Sequence, residues 1–179
     1  METKAGRPRS ERAREAVLHA VDDLLVEVGY AAVTMKGIAE RAGVSRQTVY
    51  RWWSTKAQIL FEASATDAEQ ELAIAPTGNP RDDLTAYLQA LITFLADSHA
   101  GAAYRALIGE AQHDPEVAEL LATKDILGDS ARTVLSRATP DRDPEDAAAH
   151  LIGPVFFALM TGRDPRDLDP QQLAQDFLS

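Results

Sequence analysis

Asn79-Pro80, Asp114-Pro115, Asp143-Pro144 and Asp169-Pro170 each set a short polar side chain directly before a proline. Proline at the first position of a helix forfeits no intrahelical hydrogen bond, and an Asx side chain before it can accept from the first free amides. Each pair therefore marks a helix start, and apolar stripes of helical period follow. Leu84, Tyr87, Leu88, Leu91, Ile92 and Leu95 form one stripe, and Ala148, Leu151, Ile152, Val155, Phe156 and Leu159 another. A looser stripe runs from Val117 through Leu120, Leu121, Leu127 and Val134 to Leu135. Tyr104, Leu107 and Ile108 belong to a further helix, and Leu173 and Phe177 to a short last one. Ahead of all these, Val17, Ala20, Val21, Leu24, Leu25 and Val28 make a first helix that ends at Gly29. No strand alternation of useful length occurs, so the expected fold is all-α, with about nine helices. Pro154 inside its stripe removes a backbone donor and is expected to kink that helix, with Gly153 making room.

The totals narrow the functional classes. The chain has 179 residues and no cysteine, which rules out thiol catalysis and thiolate metal sites. The start, METKAGRPRSER, has no apolar segment behind it. The longest nearly unbroken apolar run, residues 153–162, is far shorter than the ~20 residues of a membrane span. A cytoplasmic protein without a membrane partner is expected. Net charge is −10, but it is unevenly spread. Residues 1–60 hold ten Lys/Arg against seven Asp/Glu, and residues 61–179 eight against twenty-one. A basic head on an acidic body fits a chain of which only the head meets a polyanion.

Residues 34–58 carry the sharpest local pattern. Thr34 can cap a short helix through Ile38 to Ala42, Gly43 can take a left-handed φ, and Ser45 can cap a helix over 46–52. Thr55 and Gln58 have the spacing of a capping box. Counting Met35 as the first position, the small Ala39 is fifth, the turn Gly43 ninth and the core plug Val49 fifteenth. Two short helices around a tight glycine turn describe a helix-turn-helix. The second helix bears Arg46, Gln47, Thr48, Tyr50 and Arg51, followed by Trp52 and Trp53, the only tryptophans in the chain.

Residues 14–60 closely resemble the DNA-binding head of the tetracycline-repressor-like (TetR/AcrR) transcriptional regulators. The features that carry the resemblance are Gly29-Tyr30, Thr34, Ile38-Ala39, Ala42-Gly43-Val44-Ser45, Thr48, Val49-Tyr50, and Lys56 ahead of an apolar run. The pair Gly153-Pro154, with two aromatics beside it, resembles one C-terminal subgroup of that family. The resemblance implies a head over residues 1–55 and a helical ligand-binding and dimerisation domain over 56–179. It puts the second helix in the major groove of double-stranded DNA. There Arg46, Gln47 and Arg51 have the reach to read base edges, while Thr34, Ser45, Thr48, Tyr50 and Lys56 suit phosphates. Thr34 also suits a capping role. Trp53 is expected to pack in the core. Trp52 either covers the edge of that core or meets a phosphate through its N–H. Arg7 and Arg9 form a basic arm suited to a minor groove or to plain charge attraction.

The resemblance further implies a homodimer through the last two long helices, with Leu151, Val155, Phe156, Leu159, Leu173 and Phe177 at the interface. It implies a near-palindromic operator and a small-molecule effector that lowers DNA affinity. Candidate wall residues for the effector are Leu91, Phe94, Leu95, Tyr104, Leu107, His113 and Phe157. Repression is the family's habit; an activator, or a member without a ligand, is the alternative. A non-specific DNA-binding protein is a remoter one, disfavoured by the acidic body.

An enzyme finds little support in the sequence. There is no Gly-x-Ser-x-Gly and no phosphate-cradling glycine loop. None of the four histidines pairs with another at helical spacing, so no metal or other cofactor is expected. Asp141, Asp143, Glu145 and Asp146 cluster, but Asp146 stands where a calcium loop needs glycine, so a solvated loop and helix start is expected.

Overall fold

A computed structural model of the chain describes residues 7–179, with side chains from residue 10 onward. Among the described residues there are ten α-helices and no strand: α1 (Arg7–Val28), α2 (Met35–Arg41), α3 (Arg46–Tyr50), α4 (Lys56–Glu71), α5 (Pro80–Asp97), α6 (His99–Ala111), α7 (Pro115–Ala122), α8 (Ile126–Ala138), α9 (Pro144–Met160) and α10 (Pro170–Leu178). The Asx-Pro pairs open α5, α7, α9 and α10. Asn79 accepts from Arg81 N at 3.0 Å, Asp114 from Glu116 N at 2.9 Å, Asp143 from Glu145 N at 3.1 Å, and Asp169 from Gln171 N at 2.8 Å. Asp143 thus serves as a cap within the acidic cluster. A fifth pair, Asp164-Pro165, caps a 3-10 turn over Pro165–Asp167.

The loose stripe from Val117 to Leu135 is two helices. The chain breaks after Ala122, and Asp125 starts α8 by accepting from Gly128 N at 3.0 Å. Apolar residues on both sides of the break hide it from a periodicity reading. α9 continues unbroken through Pro154, whose ring is exposed.

The chain forms two compact units. The first runs to Ser64 and includes Ala102–Leu121; the second comprises Ala65–Gly101 and Ala122–Ser179. This division differs from a cut at residue 55. α4 begins just after residue 55 and runs across the boundary at Ser64, and the larger part of α6 and most of α7 cluster with the first unit.

In the second unit, α5 is the central helix. Its Leu84, Tyr87, Leu88, Leu91, Phe94 and Leu95 are fully buried, and α8, α9 and α10 pack on it. Burying a large apolar side chain of this kind contributes ~1.5–3 kcal/mol. At the turn into α6, a Cβ on Gly101 would lie 1.8 Å from the Phe94 carbonyl oxygen, so only hydrogen fits there.

The phase of α9 decides which residues remain outside. Ala147, Ala148, Leu151, Val155 and Ala158 face the core, whereas Phe157 and Met160 are 59% and 53% exposed. Leu151 and Val155, expected at a subunit interface, are therefore sealed inside one chain. Phe156, Leu159, Leu173 and Phe177 are half-buried.

Candidate nucleic-acid interface

The interface is built from the caps outward. Thr34 accepts from Gly37 N at 3.0 Å and starts α2. Gly43 takes φ +66°, and the chain turns within four residues. Ser45 accepts from Thr48 N at 3.1 Å and also bonds the Thr48 hydroxyl at 2.9 Å, which starts α3. Gln58 N donates to Thr55 Oγ1 at 3.3 Å, and the Gln58 side chain accepts from Ser54 N at 2.7 Å. The capping box at the start of α4 thus closes one residue earlier than the spacing predicts.

Burial holds α3 in place. Ile38, Ala39, Val49 and Trp53 are buried. Trp53 Nε1 donates to Glu62 Oε2 at 2.9 Å, and Arg14 pairs with the same carboxylate at 2.7 Å. Arg41 clamps α2 to α1 through Glu27 and, at 3.6 Å, Asp23. That contact holds the Glu27 carboxyl below its ordinary range and occupies the Arg41 guanidinium.

The opposite side of α3 is free. Arg46, Gln47, Tyr50 and Arg51 are all exposed, at positions i, i+1, i+4 and i+5 of one helical face. Among the described residues, Arg46, Gln47 and Tyr50 make no side-chain hydrogen bond or ion pair. Arg51 lies with its guanidinium carbon 4.8 Å from the Trp52 ring centroid, and Trp52 meets Trp53 edge-on at 5.5 Å. A short helix offers four long donor side chains to solvent, and the residues behind it are buried.

Helix-turn-helix geometry with an unengaged polar face is what groove reading requires, and the comparisons agree. The pattern described as "Bacterial regulatory proteins, tetR family" matches residues 17–63, and "Tetracyclin repressor-like, C-terminal domain" matches residues 74–176. The chain belongs to the tetR family. It is a DNA-binding transcriptional regulator. An HTH-type transcriptional regulator of Bacillus subtilis, YdeS, is 35% identical over 176 residues, covering 93% of this chain and 88% of its own. The DNA-binding transcriptional repressor TetR of Mycobacteroides abscessus is 30% identical over 164 residues, covering 91% and 76%. Among solved structures, the TetR family transcription regulator SCO0332 superposes with a TM-score of 0.72 at 29% identity, covering 93% of this chain and 96% of that one.

Within this tetR-family head the expected contact residues are not equivalent. Arg46, Gln47, Tyr50 and Arg51 point outward together. Thr34 and Ser45 are exposed but spend their hydroxyls on caps, and Thr48 is half-buried. Lys56 turns inward: Nζ donates to the Tyr30 carbonyl at 2.6 Å and sits 4.2 Å from the Tyr30 ring centroid. Burial lowers the Lys56 pKa. It raises that of the Tyr30 phenol, which Glu110 and Asp114 raise further. The side chains of Arg7 and Arg9 lie outside the described residues, as does Gly6. The Trp52 platform under Arg51 and the Glu62 anchor of Trp53 escape the sequence reading. The adjacency of Arg51 and Trp52 is a weak signal for the first, and nothing in the spacing points to the second.

The expected effector residues differ in burial and fall in both units. Leu91, Phe94, Leu95, Tyr104 and Leu107 are buried, whereas His113 and Phe157 are exposed. No group of His, Asp and Glu suited to a metal occurs among the described residues, and no helix among them is long and apolar enough to cross a membrane.

Proposed function

We propose that this regulator is a homodimeric repressor that leaves a near-palindromic operator when a small molecule binds its second unit. The observation that carries the reading is the unengaged face of α3. Arg46 and Arg51 would read guanine and Gln47 adenine in the major groove, with Tyr50 on the backbone. Ser45, Thr48 and Thr34 fix the helix ends and offer spare lone pairs near phosphates. Arg7 and Arg9 would add charge or minor-groove contacts.

Dimerisation is supported by the outward apolar pair Phe157 and Met160 on α9, next to half-buried Leu173 and Phe177 on α10. Two-fold symmetry would set the reading helices ~34 Å apart, one DNA turn. Repression is supported by the relative from Mycobacteroides abscessus named as a repressor. The protein acts in the cytoplasm, where its operator lies. Ligand control would be a population shift, effective only through a difference in affinity between the DNA-binding and released states.

Selection from a random duplex pool, followed by titration on the winning and a scrambled sequence, tests the reading. Enrichment of a near-palindrome bound ~10³-fold or more above scrambled DNA supports it. Weak, salt-sensitive binding with no enrichment would reduce the head to non-specific attachment.

A further inference from the structure

The second half of α4 turns small side chains toward α8. Ala65, Ala68 and Leu72 recur at i, i+3 and i+7, one helical face, and across from them stand Ile126, Val134 and Arg137 of α8. With two methyl groups on one wall, the space between these helices is not filled. A cleft of about 310 Å³ remains, within the range of small-molecule sites.

Most polar groups around this cleft are already engaged. The Ser130 hydroxyl donates to the Leu127 carbonyl at 2.7 Å and meets the Tyr87 hydroxyl at 2.8 Å. Thr133 donates to the Asp129 carbonyl at 2.9 Å, the Asp129 carboxylate accepts from Arg132 at 2.6 Å, and Lys124 pairs with Glu69. Arg137 differs. Of its five N–H donors, one reaches the Ile74 carbonyl at 3.4 Å, longer than the ~3.2 Å limit of a well-made bond. Its charge acts on Asp83 without pairing, and Asp83 is satisfied otherwise: it accepts from the Thr77 amide and hydroxyl, both at 2.7 Å. The guanidinium fork at one end of an apolar cleft is left with unspent donors.

We propose that this cleft is an effector site for an amphipathic carboxylic acid, its apolar body between Ala65, Ala68, Ile126 and Val134 and its carboxylate on Arg137. A carboxylate matches the guanidinium fork with two parallel charge-assisted bonds. A neutral apolar ligand would gain nothing from those donors, which solvent reaches, and an amine would be repelled by the guanidinium. The proposal rests on the reading of the chain as a ligand-responsive regulator, and it adds the site and the ligand chemistry.

The test is isothermal titration of the purified full chain, without DNA, with octanoate, octan-1-ol and octylamine. Two variants are compared, Arg137→Gln at an exposed position and Ala65→Leu, which fills the half-buried wall. Circular dichroism melts confirm that both are folded. Octanoate is expected to bind and the other two probes to bind more weakly. Arg137→Gln should weaken octanoate ~10-fold or more and leave octan-1-ol unchanged. Ala65→Leu should weaken octanoate without touching the charge. Absence of octanoate binding at millimolar concentration overturns the proposal. So does octylamine or octan-1-ol binding as well as octanoate, or Arg137→Gln binding octanoate like the parent. Operator binding without ligand is measured on the same preparation. If it holds while octanoate fails, the ligand class is wrong and the regulator stands; if it too fails, the fault lies in the function reading.

Discussion

The Lys56 ammonium caps the carbonyl of Tyr30 at 2.6 Å and rests on the face of the same residue's ring. The first residue of α4 is thereby tied to the turn that follows α1. A lysine spent in this way has little left for a phosphate. Lys56→Met is expected to lower the stability of the head by about 1 kcal/mol, the scale of a partly desolvated cation–π contact with its hydrogen bond. It should leave the salt dependence of operator binding unchanged. Thermal melts and titrations at several salt concentrations check both points. A salt slope reduced by about one would return Lys56 to the phosphate.

Arg51 lies on Trp52, which in turn abuts the buried Trp53. The stack limits where the guanidinium can go before DNA arrives. Arg51→Ala is expected to cost ~1–3 kcal/mol on the selected operator and little on scrambled DNA. Trp52→Ala should reproduce part of that loss, and the two losses should not add in the double variant. Trp52→Phe, which keeps an aromatic face, should rescue much of it. Additive losses would show that Trp52 acts on its own.

Asp83 is buried, and its carboxylate accepts from both donors of Thr77. The Thr77 bonds, helped by the more distant Arg137 charge, hold its pKa below the ordinary value. A carboxyl with a lowered folded pKa contributes stability that is present above its unfolded pKa of ~3.9 and is lost as pH falls through the folded value. Melting temperature should therefore fall on acidification below pH ~4. Thr77→Val should lower stability at neutral pH and flatten that acid limb. Melts between pH 6 and 3, an interval of order a few units around the carboxyl pKa, read both.

Phe157 and Met160 project from α9 while Leu151 and Val155 do not. Phe157→Glu should shift the protein toward monomer in analytical ultracentrifugation and leave each chain folded. Leu151→Ala should cost ~2–5 kcal/mol of stability through an internal cavity, with any loss of dimer secondary to it. A dimer untouched by Phe157→Glu would move the interface elsewhere.

The sequence exposes what depends on local chemistry. Thr34, Ser45 and the Asx-Pro pairs announce helix starts because a cap needs only its own neighbours. Val49 is legible as core from its place fifteenth in the helix-turn-helix spacing, whereas Trp53 is assigned to the core by the family resemblance. What stays hidden depends on distance along the chain or on phase. Nothing near Trp53 announces Glu62, and the inward turn of Lys56 requires the position of Tyr30, twenty-six residues earlier. On α9 almost every position is apolar, so the stripe does not reveal which side faces out. Leu151, expected at a subunit interface, is buried, and Phe157, expected on an effector wall, is exposed. The cleft between α4 and α8 is obscure for a different reason: part of it is lined by alanines, which matter for the volume they do not fill.

Both tryptophans of the chain lie in the head, and one of them donates its indole N–H to Glu62 on α4. Tryptophan emission, excited apart from that of the four tyrosines, therefore originates beside α3 alone. A compound entering the proposed cleft meets Ala65, Ala68 and α8, and neither tryptophan lines it. If its arrival shifts their emission, the protein has reported, without any added label, that binding in the second unit is felt in the head.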